Sequence, residues 1–188
     1  MMISAVLDAC VLYSAAMRDF LLSLAEDRLF EPFWSEEIQN EWTHSLCQKQ
    51  SELTQEKLER TCRKMDFHFP NGLVRGYKSI IPTLTLPDPK DRHVLAVAIH
   101  AKAEYIVTFN LRDFPKTALQ PYGIQAVSPD EFAVRLIHDE PHHFLQAVRD
   151  HRLVLKKPSK TVDEYLETLE KQGLPKTVAF LRKHEADI

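Results

Sequence analysis

Residues 88–110, DPKDRHVLAVAIHAKAEYIVTFN, decide the fold. Asp88 and Pro89 open a helix as an N-cap followed by a proline in the first turn. Alanine and aliphatic side chains fill positions 94–99 and 101, so the helix, expected over about 89–103, is apolar on more than one face and is buried. Glu104 to Thr108, with YIVT as its core, is too short for a helix and reads as a strand, and it ends in Phe109-Asn110.

The same alternation extends outward. Ile3 to Leu7 reads as a strand buried on both faces that closes in Asp8. Leu29 to Phe33 is a second strand, limited by Pro32, and Ile124 to Val127 a last one. Helices are expected over about 14–27, over 36–49 behind the cap Ser35, over 54–66 opened by Thr54 and broken by Pro70-Asn71-Gly72, and over 129–138 behind Ser128. Lys78 to Leu86 is expected to be extended. Strands alternating with helices predict an α/β domain with a mainly parallel sheet, taken as residues 1–138.

The character changes at residue 139. Within residues 141–160, Arg149, Arg152, Lys156, Lys157 and Lys160 stand against only Asp150, in what reads as a basic linker. Thr161-Val162-Asp163-Glu164 is a capping box, and Val162, Tyr165, Leu166 and Leu169 form one apolar stripe at helical spacing. Gly173 ends that helix and Pro175 starts the next. Residues 139–188 are therefore expected to be a basic linker and a helical hairpin.

Composition excludes several classes. The 188 residues are 44% hydrophobic and 27% charged, as in ordinary globular proteins. With 24 basic against 27 acidic residues, the net charge of −3 excludes a uniformly basic nucleic-acid coat. Four glycines form no phosphate-binding loop, and three cysteines without CxxC spacing form neither a disulfide framework nor a zinc knuckle. A reducing, cytoplasmic location is expected. The N-terminus lacks a basic secretory signal, and no apolar stretch has the length of a membrane span.

Ligands of parallel α/β sheets bind beyond the carboxyl ends of the strands, which directs attention to acids found there. Asp8 closes the first strand, Asn110 and Asp113 follow a later one, Asp91 lies in the first turn of its helix, and Glu41 borders the stripe Ile38, Trp42 and Leu46. Each has an ordinary structural reading: Asp8 and Asp88 as caps, Asp91 as part of a capping box, Asp113 in a turn, and Glu41 on the surface. Brought together, such carboxylates either share protons or are neutralised by a divalent cation. All-oxygen donors suit Mg²⁺ or Mn²⁺ rather than zinc, and such an ion supports phosphodiester hydrolysis. Among the nine histidines, His138, His142 and His143 are read as solvated, and His93 as a helix-surface residue near enough to touch substrate.

VLDACVL at 6–12, SEEIQNEW at 35–42, DPKDRHVLAVA at 88–98 and IVTFNLRDFP at 106–115 resemble the PIN domain. The resemblance covers roughly residues 1–135. It implies a three-layer α/β/α sandwich and a metal-dependent endoribonuclease, in many small members a VapC-like toxin restrained by an antitoxin. Position by position, Asp8, Glu41 and Asp91 match three principal acids that hold Mg²⁺ or Mn²⁺. Asn110 and Asp113 compete for the fourth place, Asp113 being preferred for its charge. Thr108 matches a hydroxyl residue near the site, and Cys10 stands where Asn, Ser or Thr is more usual. The resemblance also implies an RNA substrate and a homodimer. Arg60, Arg63 and Lys64 are the candidate RNA-backbone contacts, with the run from Arg149 to Lys160 as the other. An RNA-processing nuclease that is not a toxin, and a PIN-like module that binds without cutting, are the competing readings.

Overall fold

A computed structural model describes residues 2–50, 54–155 and 159–188. Four strands, β1 (Ile3–Leu7), β2 (Phe30–Phe33), β3 (Tyr105–Val107) and β4 (Gln125–Val127), form one parallel sheet in the order β2-β1-β3-β4. Ala5, Val6 and Leu7 of the central β1 are fully buried, as an unbroken apolar run with cover on both faces requires. Pro32 lies on β2 at the sheet edge, opposite Ala5, where a missing N–H costs least.

The chain runs from β1 to β2 on one side and later to β3 on the other, so the order reverses between β1 and β3. That reversal opens a crevice at the carboxyl ends of the two strands, and the expected acids follow them.

Helices complete the sandwich. They are α1 (Ala9–Leu12), α2 (Ala15–Glu26), α3 (Glu36–Lys49), α4 (Gln55–His68), α5 (Arg92–Ala101), α6 (Lys116–Leu119), α7 (Pro129–Asp139), α8 (Pro141–Val154), α9 (Val162–Lys171) and α10 (Pro175–Leu181). Helix α5 packs across β1, β2 and β3, and α2 packs on β2. Phe132 of α7 meets the ring of Phe30 edge-on at 4.9 Å and that of Tyr105 at 5.7 Å.

Three local expectations change. Lys78 to Leu86 is not extended but carries two single 3₁₀ turns, Tyr77–Ser79 and Ile81–Thr83. Gly76, at φ 84°, starts the first, and Pro82, which cannot donate to a strand ladder, sits in the second. The helix expected over 89–103 divides into a 3₁₀ turn, Pro89–Asp91, and α5, which Lys102 ends in the left-handed region at φ 55°. Residues 141–154, expected as a linker, are helix α8. Pro141 opens it and Phe144, Leu145, Ala147, Val148 and His151 form its buried face, packed on α2. Lys156 and Lys157 lie outside the described residues.

The C-terminal hairpin has the expected capping box at Thr161 and Glu164. Its second helix, α10, has no cap of its own at Leu174. Asp130 of α7 takes that role from outside: its carboxylate accepts the Lys176 N–H at 2.9 Å, the Thr177 N–H at 2.9 Å and the Thr177 hydroxyl at 2.8 Å. Arg152, from the basic run, donates to the carbonyls of Lys160 (3.1 Å) and Ile188 (3.3 Å) and so ties α8 to the chain end.

Candidate active site

The ladder continues one residue past β1 and β3. The Asp8 N–H reaches the Val107 carbonyl at 3.1 Å, and the Thr108 N–H reaches that of Val127 at 3.0 Å. Both side chains are thereby fixed at the crevice. Asp8 is 6% exposed, and three donors hold its carboxylate. Oδ1 accepts the Ala9 N–H at 2.7 Å; Oδ2 accepts the Thr108 hydroxyl at 2.7 Å and the Cys10 thiol at 3.2 Å. The cap of α1 and the candidate site residue are one and the same side chain. An ionised carboxylate has about four acceptor positions, so capacity remains.

Cys10 keeps its proton: burial, reinforced by the Asp8 charge, pushes its thiol up to about 12. It is a donor to Asp8, and its sulfur in turn accepts the Phe109 N–H at 3.3 Å. The Asn110 N–H binds the Thr108 hydroxyl oxygen at 3.0 Å, which sets the loop after β3.

Asp91 precedes α5 but caps nothing with its side chain; Asp88 does the capping, through the Lys90 N–H at 2.8 Å. Burial, then the charges of Asp8, Asp113, Asp88 and Glu41, push the Asp91 carboxyl up to about 6. The acids expected from the other segments therefore act on Asp91. Asp113, at the end of the 3₁₀ turn Leu111–Asp113, is one of these charges, whereas Asn110 is exposed.

Glu41 borders the buried stripe of α3 and is half-exposed. His93, expected on the surface, is only 3% exposed and lies between α3 and α5. Its Nε2 is 3.0 Å from Glu41 Oε1 and its Nδ1 4.0 Å from Glu37 Oε2, charge contacts rather than aligned hydrogen bonds. Burial alone would lower the imidazole's pKa; Glu41, Glu37 and Asp8 outweigh it and raise it. Buried in this way, His93 faces the carboxylates of Glu41 and Glu37.

Arg60, Arg63 and Lys64 lie on the solvent side of α4, where Arg63 pairs with Glu59 at 3.9 Å. Among the described residues no ion pair links these three to the acids. His138 and His143 pair with the neighbouring Asp139 and Glu140, and no three His, Cys, Asp or Glu side chains among the described residues converge as a ready ligand set. A divalent cation is the partner that would relieve the repulsion on Asp91. The all-carboxylate character of the donors fits Mg²⁺ or Mn²⁺.

Between α1 and α3 a groove of about 540 Å³ opens beside these acids, with Cys10 and Glu41 in its wall. Tyr13 and Lys49 line it further along. Both were missed in the sequence, where only the spacing of Glu41, Ser45 and Lys49, four residues apart on one helix edge, hints at a shared face.

Residues 4–112 match the PIN domain. The chain belongs to that family. Residues 129–183 match a second family, the VapC50 C-terminal domain, and so account for the helices that follow the PIN domain. A protein of Mycobacterium tuberculosis (strain ATCC 25618 / H37Rv), named "Putative ribonuclease VapC50", is 49% identical over 67 residues, which is 34% of this chain and 39% of that protein. The aligned stretch thus spans well under two thirds of the relative. No solved structure matches the chain. Among the described residues no helix is long and apolar enough to cross a membrane.

Proposed function

We propose that the protein is a divalent-metal-dependent endoribonuclease, the toxin of a type II toxin–antitoxin pair, acting in the cytoplasm. The observation that carries this reading is the site of Asp91, whose carboxyl is raised to about 6 by burial and then by the charges of Asp8, Asp113, Asp88 and Glu41. The named relative and the two family matches favour RNA as substrate and an antitoxin as partner. A homodimer is the proposed assembly. Residues 1–138 form the nuclease unit, and 139–188 an appendage held on α2 and α7.

Asp8, Glu41, Asp91 and Asp113 would hold Mg²⁺ or Mn²⁺, which when bound supplies Lewis-acid activation of water and charge neutralisation at the phosphodiester. The chain's own groups prepare that site. Thr108 and Cys10 donate to Asp8 and fix its carboxylate in place, while the His93 imidazole packs against Glu41. Because Cys10 remains a donor, its presence does not favour the module that binds without cutting. Arg60, Arg63, Lys64 and Asn110 are proposed to touch the RNA.

Induced expression in a bacterial host tests the toxin reading. Growth arrest by the wild-type chain, relieved in Asp8→Asn at equal soluble protein, is expected. Equal arrest by the variant would remove Asp8 from the mechanism, and the absence of arrest by the wild type would favour an RNA-processing role.

A further inference from the structure

The groove between α1 and α3 changes character along its length. At one end stand Cys10 and Glu41, next to Asp8; at the other stand Tyr13 and Lys49. Lys49 lies two helical steps of four residues beyond Glu41 on the same edge of α3, about 12 Å along the axis. Helical side chains lean toward the N-terminus, so the Lys49 ammonium is carried back toward Glu41. Its Nζ sits 5.5 Å from the centroid of the Tyr13 ring, a cation–π contact, and no ion pair among the described residues neutralises it.

The floor beneath is closely packed. Trp42 is buried and also lines the groove, and the Arg18 guanidinium lies 4.6 Å from the centroid of its ring. Arg18 is itself buried and donates to the Leu12 carbonyl at 2.6 Å, which ties α1 to this floor. A groove acidic at one end and cationic at the other fits a polyanion whose reacting phosphate is at the acids and whose next phosphates run toward the cation.

We propose that this groove carries the RNA strand leaving the scissile phosphate, with Lys49, steadied by Tyr13, as its phosphate contact. The inference rests on the nuclease reading and assigns it a substrate path. A phosphate contact adds affinity without sequence preference, and its loss lowers the salt dependence of binding by about one counterion.

The test is fluorescence-anisotropy titration of a labelled single-stranded RNA oligonucleotide of mixed sequence. Full-length protein carrying Asp8→Asn is used so that RNA stays intact. In that background Lys49→Gln is expected to weaken binding about tenfold, as loss of a charged hydrogen bond does, and to reduce the salt slope by about one. Lys49→Arg and Tyr13→Phe should bind as the background does, and Tyr13→Ala should fall toward Lys49→Gln. Lys102→Asn, which removes the same charge at the far end of α5 from Asp91, should change neither quantity.

Unchanged affinity and slope in Lys49→Gln would overturn the inference. If cleavage by the wild type still depends on Asp8, the nuclease reading survives that result. A wild-type chain that neither binds nor cuts the RNA would overturn both.

Discussion

His93 Nε2 lies 3.0 Å from Glu41 Oε1, so the side chain two residues after Asp91 is the buried partner of another acid of the same cluster. Replacing it with alanine leaves a cavity and removes the imidazole facing Glu41 and Glu37. A loss of about 1–3 kcal/mol is expected. His93→Ala should therefore unfold several degrees below wild type in a thermal melt, and His93→Gln, which fills more of the space, should lose less. Equal melting temperatures for all three would show that the contact adds nothing.

The cluster should cost stability in the absence of a cation. The folded-state pKa of Asp91 is raised to about 6, so the folded protein holds this proton more tightly than the unfolded chain does. That advantage is present below the usual carboxylate pKa and is lost as pH rises through about 6. Asp91→Asn should accordingly melt higher than wild type at pH 7, with the difference closing near pH 4. Millimolar Mn²⁺ should raise the wild type and leave the variant nearly unmoved. Melting curves at three pH values, with and without the ion, measure both effects.

His151 of α8 gives the opposite pH sign. Burial, then the charge of Lys160, lowers its pKa to about 4; its Nδ1 meets the Tyr165 hydroxyl at 2.8 Å and its ring lies 6.1 Å from that of Phe20. The neutral form is favoured in the folded state, so its contribution is present above about 6.5 and is lost as pH falls toward about 4. His151→Phe should flatten the fall in melting temperature over this window. It should also lose about 1 kcal/mol at pH 7, where the Tyr165 hydroxyl forfeits its partner.

Asp130 holds α10 of the hairpin to α7. Three donors of α10 converge on its carboxylate, so Asp130→Ala uncaps that helix and leaves the buried Thr177 groups unpaired. A destabilisation of about 1–3 kcal/mol is expected. Limited proteolysis should then cut faster within residues 159–188 than elsewhere. Uniformly unchanged digestion would show that the apolar face of α9 and α10 suffices.

Much of this could be read in the residues, and the rest could not, for identifiable reasons. The four strands and α3 follow from short apolar runs and from Ser35 as a cap. Asp8, Asp91 and Asp113 stand out because strand ends and helix starts are local features. Helix α8 was obscured by its charges: Arg149 and Arg152 suggested a linker, although Phe144, Leu145, Val148 and His151 repeat at helical spacing. The burial of His93 and the pairing of Tyr13 with Lys49 depend on how α1, α3 and α5 pack. Neighbouring residues in the chain carry no record of that packing.

Cleavage of a labelled single-stranded RNA, followed by gel with Mg²⁺ or Mn²⁺ and with EDTA, tests the central claim most directly. The wild type should cut only with the ion present, and Asp8→Asn, folded by circular dichroism, should not cut with either. Equal cutting by that variant, or cutting by the wild type in EDTA, would contradict the assignment of these carboxylates as a metal-dependent nuclease site.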